Sequence, residues 1–399
     1  MSPQGSRERV LKALSHNEPD RVPLSLGGTA SSYTDEAYFQ LKAYLGIQGD
    51  VAPYRYGHTG NYYDDRILEA LGTDYRYLVL TFPDDTHLTY LPDGTFIDEW
   101  GIQNRDVDGY VSRVSHPLAG ATLEDLDRYP WPDPRTLGRS QLARGLRERA
   151  RYLYENVDCA IVARAPMSAA FLELGAWLCG YEEFLIRLKT DAPFAGKLIE
   201  KILTVQLAFY DLLLEGTAEY VHIVETAEDY GTQSSLLISP QTYREMIMPA
   251  RQRLNAFIKS KAPQARILHH TCGAVADLIP DLLASGIDIL NPVQPLATGM
   301  DSAALKARWG KQLCFDGGID MQQALSGPLA RVQVEVARRV LALGPGGGYS
   351  LGPSNHIQAD VPPANVVALF DIARDLGRYP LDIPKLTGIV QQFESGEQS

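Results

Sequence analysis

Short apolar runs alternate along the chain with segments in which apolar residues recur every three to four positions. The runs predict eight buried strands, at Val22–Gly28, Tyr75–Leu80, Ala160–Ala165, Tyr220–Thr226, Arg266–His270, Ile287–Leu290, Leu313–Gly317 and Tyr349–Gly352. The helical spacing predicts helices at Arg7–Ser15, Tyr181–Leu214, Pro240–Ser260, Val275–Ala284, Ser302–Trp309 and Val332–Leu343. Eight strands that alternate with helices favour an α/β fold, a (β/α)8 TIM barrel forming a single domain over residues 1–399, more than a doubly wound sheet.

One region in the N-terminal third interrupts this alternation. Residues 81–132 carry two turn signals, PDG and DVDG, between segments of alternating polarity, a pattern typical of β-hairpins. We interpret the region as a β-hairpin insertion in a βα loop, on the side where barrel enzymes bind substrate. Decoration without a function is the alternative interpretation.

Composition and charge narrow the class of partner. The net charge of −12, with no basic run to offset it, argues against nucleic acid or an anionic membrane surface as the main partner. No run approaches the roughly 20 apolar residues of a membrane span and the N-terminal segment lacks the apolar core of a signal peptide, so we expect a cytoplasmic protein. The four cysteines include no CxxC pair, which indicates neither a zinc ribbon nor a disulfide framework. A metal site would therefore have to mix ligand types.

Two histidines and a cysteine stand in the apolar run ILHHTCGAV, residues 267–275. Because alternate residues of a strand share a face, His270 and Cys272 point to one side while His269 and Thr271 point to the other. The pair comes at the carboxyl end of a predicted barrel strand, where barrel enzymes keep their chemistry, and zinc accepts imidazole and thiolate together. The alternative for a lone histidine or cysteine is packing in the core.

A metal site needs a third ligand, and His356 in LGPSNHIQADVPP is the candidate. It follows the last predicted strand, and a barrel would bring it beside the end of the strand that carries His270. Capping of a surface turn is its alternative role. The sequence thus predicts a metal site formed by His270, Cys272 and His356.

Acids and other polar residues cluster at further predicted strand ends. Glu225, Glu228 and Asp229 lie together in HIVETAEDYGTQ, where they could serve as general acid or base, as a metal ligand or as an anchor for a substrate amine. We predict catalytic roles for Glu225 and Asp229. The predicted substrate-binding residues are Tyr230, Gln233, Asn291 and Asp316. Asp320 is instead expected to cap the N-terminus of a helix.

Six phrases that together span nearly the whole chain resemble the uroporphyrinogen decarboxylase superfamily. They are RERVLKALSHNEPDRVPLSLGGT, FIDEWGI, EDYGTQSSLLISPQTYREMIMPARQRL, HHTCGAVADLIPDLLASGIDILNPVQPLATGMDSAALKARWG, CFDGGID and HIQADVPPANVVALF. The sequence is more similar to the cobalamin-dependent methyltransferase branch than to the haem-pathway decarboxylases. The decarboxylases carry an arginine-rich phrase after the first strand, and VPLSLGGTASS has no arginine. Both branches are (β/α)8 barrels.

The resemblance to the methyltransferase branch implies a zinc ion held by an H-x-C phrase, which His270 and Cys272 match, and by a later cysteine. The corresponding place reads GPSNHIQ, where His356 could restore a set of two histidines and one cysteine. The resemblance also implies transfer of a methyl group between a small O-, N- or S-methyl compound and cobalt, O-demethylation included. Since the chain lacks the D-x-H-x-x-G phrase of a corrinoid-binding module, cobalamin would sit on a separate corrinoid protein.

Two other functions remain open at this point. The first is a metal-independent decarboxylase or lyase of the uroporphyrinogen decarboxylase type, which would use the acids Glu225 and Asp229. The second is a non-catalytic protein that binds a small molecule. A homodimer is compatible with the sequence, which contains no heptad run that would decide the oligomeric state.

Overall fold

The computed structural model describes residues 4–80, 85, 87–136 and 139–396. Its strands are β1 (Tyr75–Leu78), β2 (Thr89–Tyr90), β3 (Thr95–Ile97), β4 (Gln103–Val107), β5 (Tyr110–Ser115), β6 (Ala160–Ala163), β7 (Ile223–Ala227), β8 (Arg266–His270), β9 (Ile289–Asn291), β10 (Cys314–Ile319) and β11 (Tyr349–Pro353). They form two separate sheets.

The α-helices within the described residues are α1 (Ser6–Ala13), α2 (Asp35–Tyr44), α3 (Asp65–Ala70), α4 (Asp125–Arg128), α5 (Arg139–Asn156), α6 (Phe171–Cys179), α7 (Tyr181–Thr190), α8 (Ala192–Leu214), α9 (Pro240–Thr242), α10 (Met248–Lys261), α11 (Ile279–Ala284), α12 (Ser302–Trp309), α13 (Leu329–Leu343), α14 (Pro363–Leu376) and α15 (Ile383–Gly396). Two π-helical segments, Tyr243–Ile247 and Met321–Leu325, and one 3-10 turn, Ala276–Leu278, complete them. Over the same described ranges, no helix combines the length and the apolar character that crossing a membrane requires.

Seven strands form one parallel sheet in the order β1-β6-β7-β8-β9-β10-β11. Six of them are buried along their whole length, as expected for strands that helices cover on both faces: β1, β6, β7, β9, β10 and β11. Each strand of this sheet lies beside the strand that follows it in the same sheet. Because all the pairs are parallel, the carboxyl ends lie along one edge of the sheet. The arrangement is TIM-barrel-like, and it confirms the seven predicted strands from Tyr75 onward.

The first predicted strand, Val22–Gly28, is wrong as a regular strand. Leu24 forms a single parallel bridge with Leu351 of β11, and its carbonyl oxygen accepts a hydrogen bond from the backbone N–H of Asp74, next to β1. The segment therefore links the two edges of the parallel sheet without a continuous ladder. Pro23 has no N–H to donate, and Gly27 has a φ of 117°, outside the strand region.

The predicted helix Tyr181–Leu214 is two helices, α7 and α8. The chain leaves the helical conformation at Asp191, whose side chain accepts a hydrogen bond from the backbone N–H of Phe194. Pro193 then stands in the first turn of α8, where its missing N–H costs nothing. An N-cap followed by proline thus restarts the helix. The predicted N-cap role of Asp320 is confirmed, since its carboxylate accepts three backbone hydrogen bonds from the turn that follows.

A four-stranded antiparallel sheet in the order β2-β3-β4-β5 occupies residues 89–115, between β1 and β6 in the chain. The turn DVDG joins β4 to β5, with both Asp108 and Gly109 at positive φ. Residues 81–84 and 86 of the predicted insertion lie outside the described residues, so the boundaries 81–132 stay a prediction.

Candidate active site

Three potential metal ligands converge at the carboxyl edge of the parallel sheet. His270 ends β8 and Cys272 lies two residues beyond, with 3.3 Å between the histidine Nε2 and the cysteine Sγ. Asp229 follows the neighbouring strand β7, and its Oδ1 lies 3.6 Å from the same Nε2. One ligand atom from each of the three lies within 4.8 Å of the others, and the described part of the chain contains no second group of this kind. We call Asp229, His270 and Cys272 the metal group.

Asn291 at the end of β9 fixes the orientation of the His270 ring. The asparagine Oδ1 lies 2.6 Å from Nδ1 of His270, and its Nδ2 donates to Asp316 Oδ1 at 2.5 Å. Because the Asn291 oxygen faces the histidine, it accepts a hydrogen bond from Nδ1–H of His270. The lone pair of Nε2 then faces Cys272 and Asp229. Asn291 and Asp316, both predicted to bind substrate, are buried, and burial raises the pKa of Asp316 to about 6.

The surroundings of the metal group favour a bound cation. Asp229 accepts a hydrogen bond from the backbone N–H of Cys272 at 2.7 Å, and its own N–H donates to Glu173 Oε2 at 2.7 Å. Burial, with the nearby charges of Asp229 and Glu173, raises the pKa of the Cys272 thiol well above its usual value. Burial and the Asp229 charge also raise the pKa of Glu173. A divalent cation would offset these costs, and a nitrogen, sulfur and oxygen donor set suits zinc.

The structure places His356, the predicted third ligand, outside the metal group. Its Nδ1 accepts a hydrogen bond from the backbone N–H of Ser32 at 3.2 Å, and its side chain lines the large cleft described below. Burial holds its pKa well below the usual value, and the charges of Arg55 and Arg164 add to this effect. His356 is therefore a neutral imidazole on the cleft wall.

Glu225, a predicted catalytic acid, lies in β7 and is buried. Its Oε1 accepts a hydrogen bond from the backbone N–H of Thr29 at 2.8 Å, and its Oε2 accepts from the Thr29 hydroxyl at 2.7 Å. The carboxylate thus holds the loop that follows the Val22–Gly28 segment. A role of Glu225 in proton transfer stays a prediction.

Glu228 and Tyr230 flank Asp229 of the metal group in the chain. Glu228 forms an ion pair of 2.8 Å with Arg251, and both side chains are fully buried. Tyr230, predicted to bind substrate, is also fully buried, and its hydroxyl donates to Glu228. Gln233, the other predicted substrate-binding residue of this segment, is exposed and its backbone carbonyl accepts from Thr298. Neither Tyr230 nor Gln233 lines the large cleft described below. Its walls come from the four-stranded sheet and from loops.

That cleft holds about 1470 Å³, its open mouth included. Three arginines line it, Arg55, Arg113 and Arg164, and we call them the arginine wall. Two acids, Asp98 and Glu99, line it as well, and its remaining wall is largely apolar and aromatic. Sequence reasoning missed these arginines, because each is isolated in the chain and no spacing pattern links them.

Comparisons with known proteins agree on a family and on a fold. The family profile described as Uroporphyrinogen decarboxylase (URO-D) matches residues 97–376. A uroporphyrinogen decarboxylase from Alkalilimnicola ehrlichii is 22% identical over 370 residues, which are 92% of this chain and 94% of that relative. A methylated-thiol–coenzyme M methyltransferase from Methanosarcina mazei is 30% identical over 173 residues, 43% of each chain, so the match spans less than half of that relative.

The fold agrees with a solved structure described as a methyltransferase from Methanosarcina mazei. The superposition has a TM-score of 0.64 at 17% sequence identity and covers 94% of this chain and 99% of that one. At this level of identity, the likeness shows a shared fold.

Proposed function

Since the chain belongs to the uroporphyrinogen decarboxylase family, we propose that it is a zinc-dependent methyltransferase that works with a separate corrinoid protein. It moves a methyl group between a small O-, N- or S-methyl compound and the cobalt of that protein. The observation that carries the proposal is the convergence of Asp229, His270 and Cys272 at the carboxyl edge of the sheet. The partial match to a methyltransferase that acts on methylated thiols supports the same class of reaction.

In the proposed site, Asp229, His270 and Cys272 hold the zinc ion, so the carboxylate replaces the third ligand that His356 was predicted to supply. These three protein ligands would leave a coordination position open for substrate. Zinc bound there supplies Lewis acidity, which lowers the pKa of a thiol or polarises an ether oxygen.

The chain's own residues orient this site. Asn291 keeps the proton of His270 on Nδ1, so that Nε2 is the donor nitrogen, and Asp316 holds Asn291 in turn. The backbone N–H of Cys272 binds Asp229 and ties the ends of β7 and β8 together. Both contacts hold the ligands in place before metal or substrate arrives, which is what a precise site requires.

Cobalamin on the partner protein would supply a nucleophile toward the methyl carbon of a donor, or a methyl group for a thiolate acceptor. This chain would hold the zinc ion through Asp229, His270 and Cys272 and so position the substrate atom that gains or loses the methyl group. Proton transfer by Asp229 or Glu225 stays a prediction.

Metal content tests the proposal first. Protein purified without chelator is analysed by elemental mass spectrometry, beside the variants Asp229→Asn, His270→Ala and Cys272→Ser. We expect about one zinc ion per chain in the unaltered protein and loss in all three variants. His356→Ala is the matched control and should keep its zinc, because His356 lies outside the metal group. Zinc-free protein after zinc is supplied would refute the proposed mechanism.

Methyl transfer is then followed by the absorbance change from reduced cobalamin to methylcobalamin, with a panel of S-, N- and O-methyl donors. We expect turnover with at least one donor in the zinc-loaded protein and background rates in Cys272→Ser. Release of carbon dioxide from a carboxylate by metal-free protein would favour the decarboxylase instead. Ligand binding without turnover by any donor would favour a non-catalytic binding protein.

A further inference from the structure

Arg164 places an unpaired donor in the wall of the large cleft. It directly follows β6, its side chain is 2% exposed, and its Nη2 donates to the carbonyl oxygen of Thr29 at 3.1 Å. Its Nη1 is buried and has no hydrogen-bond partner. A buried polar group without a partner is costly, and a charged one more so. Arg164 therefore lines the cleft with a guanidinium that has one donor without a hydrogen-bond partner.

Arg55 supplies a second guanidinium at the same place. Its Nε donates to the carbonyl oxygen of Gly60 at 2.7 Å. The guanidinium carbons of Arg55 and Arg164 each lie 5.0 Å from the centroid of the Tyr54 ring. Burial lowers the pKa of Arg55 to about 10, and the nearby charge of Arg164 adds to this effect. Two like charges in a buried wall repel each other, and an anion between them would remove that repulsion.

Among the described residues, neither Arg55 nor Arg164 forms an ion pair, and the charge of Asp35 offsets that of Arg55 only from a distance. The Asp98 carboxylate accepts hydrogen bonds from the backbone of Trp100 and Ile102. Of the described charged residues that line the cleft, three are arginines and two are acids, a balance of +1 among the described residues. The whole chain has a net charge of −12, so this local excess of positive charge runs against its composition.

We propose that Arg164 and Arg55 form an anion subsite in the large cleft that binds the carboxylate of the methylated substrate. This inference rests on the proposed function and adds the substrate class, an apolar monocarboxylate. A guanidinium binds a carboxylate with two parallel, charge-assisted hydrogen bonds, and a single negative charge matches the cleft's balance. The uncharged part of the substrate would pack on the apolar wall, which includes Leu80, Leu88, Trp100, Ile102 and Met167.

Calorimetric titration with 4-methoxybenzoate and with its neutral counterpart, 4-methoxybenzamide, tests the subsite without any turnover. In the unaltered protein, the acid should bind at least about tenfold more tightly than the amide. Arg164→Met and Arg55→Met should each remove most of that difference and leave amide binding unchanged. Arg105→Met, an exposed arginine of β4 that does not line the cleft, is the matched control and should behave like the unaltered protein.

Arg164→Lys separates the charge from its geometry, because lysine keeps the charge and lacks the planar fork. It should bind the acid less tightly than the unaltered protein and more tightly than Arg164→Met. Thermal unfolding shows whether each variant folds, and if Arg164→Met does not, Arg55→Met and Arg164→Lys decide. The inference is overturned if the acid binds no better than the amide, or if the arginine variants bind the acid as the unaltered protein does.

The same titration on Asp229→Asn separates this inference from the proposed function. That variant should lose zinc and methyl transfer but keep its preference for the acid. A preference that depends on Arg55 and Arg164 in a protein that never binds zinc would leave the subsite standing and refute the methyltransferase. Zinc-dependent methyl transfer without any preference for the acid would support the methyltransferase and refute the anion subsite.

Discussion

The metal group and the arginine wall are built in different ways. The metal group comes from the ends of two adjacent parallel strands, β7 and β8. A hydrogen bond from the backbone N–H of Cys272 to the Asp229 carboxylate ties the two ends together. The arginine wall comes from three distant segments: a loop after α2, strand β5 of the second sheet and the loop after β6. Under the two proposals above, chemistry belongs to the rigid sheet edge and substrate selection to the surrounding segments, as in many barrel enzymes.

The largest expected effect concerns the buried ion pair of Glu228 and Arg251, next in the chain to Asp229 of the metal group. Arg251→Met leaves the Glu228 carboxylate buried without its partner, which should lower the free energy of unfolding by about 3–5 kcal/mol. Chemical denaturation measures this change. Arg253→Met, two residues along α10, removes an arginine from an exposed pair with Glu200 and should cost under about 1 kcal/mol. Equal effects of the two variants would show that the buried pair does not support the site.

The next effect separates the two regions directly. Asn291→Ala removes the partner of His270 Nδ1 and should weaken zinc binding by about 10- to 100-fold. Competition with a chromophoric chelator measures the zinc affinity. Binding of 4-methoxybenzoate should stay unchanged, because Asn291 does not line the large cleft. Asn365→Ala, which removes a buried asparagine bonded to Leu325 and Gly327, is the control and should leave zinc affinity intact.

A smaller effect ranks the members of the arginine wall. The Arg113 residue is exposed, and its guanidinium carbon lies 3.5 Å from the centroid of the Trp177 ring, so its charge already has a partner, which Arg164 Nη1 lacks. Arg113→Met should weaken binding of 4-methoxybenzoate by at most about fivefold, the range of an exposed charge pair. Titration calorimetry measures it. If Arg113→Met loses as much affinity for 4-methoxybenzoate as Arg164→Met does, the centre of the subsite lies closer to β5 than proposed.

The smallest effect on either region is expected from a change at the opposite end of β7. Burial lowers the pKa of His222 to about 4, and its Nδ1 accepts from the backbone N–H of Ile161 at 3.0 Å. The unfolded chain binds the proton near pH 6.5, so the stabilising contribution is complete above about pH 6.5 and is lost as the pH falls toward 4. His222→Gln should flatten this part of the stability profile. An unchanged slope would contradict the assignment.

The sequence predicted the parts of the site that depend on local geometry. The alternation of a strand was enough to place His270 and Cys272 on one face, and the family resemblance is confirmed by the profile match. The choice of Asp229 over His356 as the third member of the metal group depends on how loops after β7 and β11 fold in space. The spacing of residues in the sequence does not indicate which of the two loops lies closer to His270 and Cys272.

Other parts were hidden for different physical reasons. Val22–Gly28 has the apolar character of a strand, while Pro23 and Gly27 prevent the ladder. Tyr230 is polar and follows a strand end, but its hydroxyl pairs with buried Glu228. Arg55 and Arg164 are scattered in the sequence and become a pair only through the curvature of the sheet, which brings β6 and the loop after α2 to one cleft.

The four-stranded sheet of residues 89–115 has a consequence for how relatives of this protein can diverge. It is one continuous segment that supplies eight of the cleft-lining residues, Asp98, Glu99, Trp100, Ile102, Asn104, Tyr110, Val111 and Arg113, and none of the metal group. Under the proposed function, exchange of this segment alone should change which substrate the cleft accepts and leave the metal group in place.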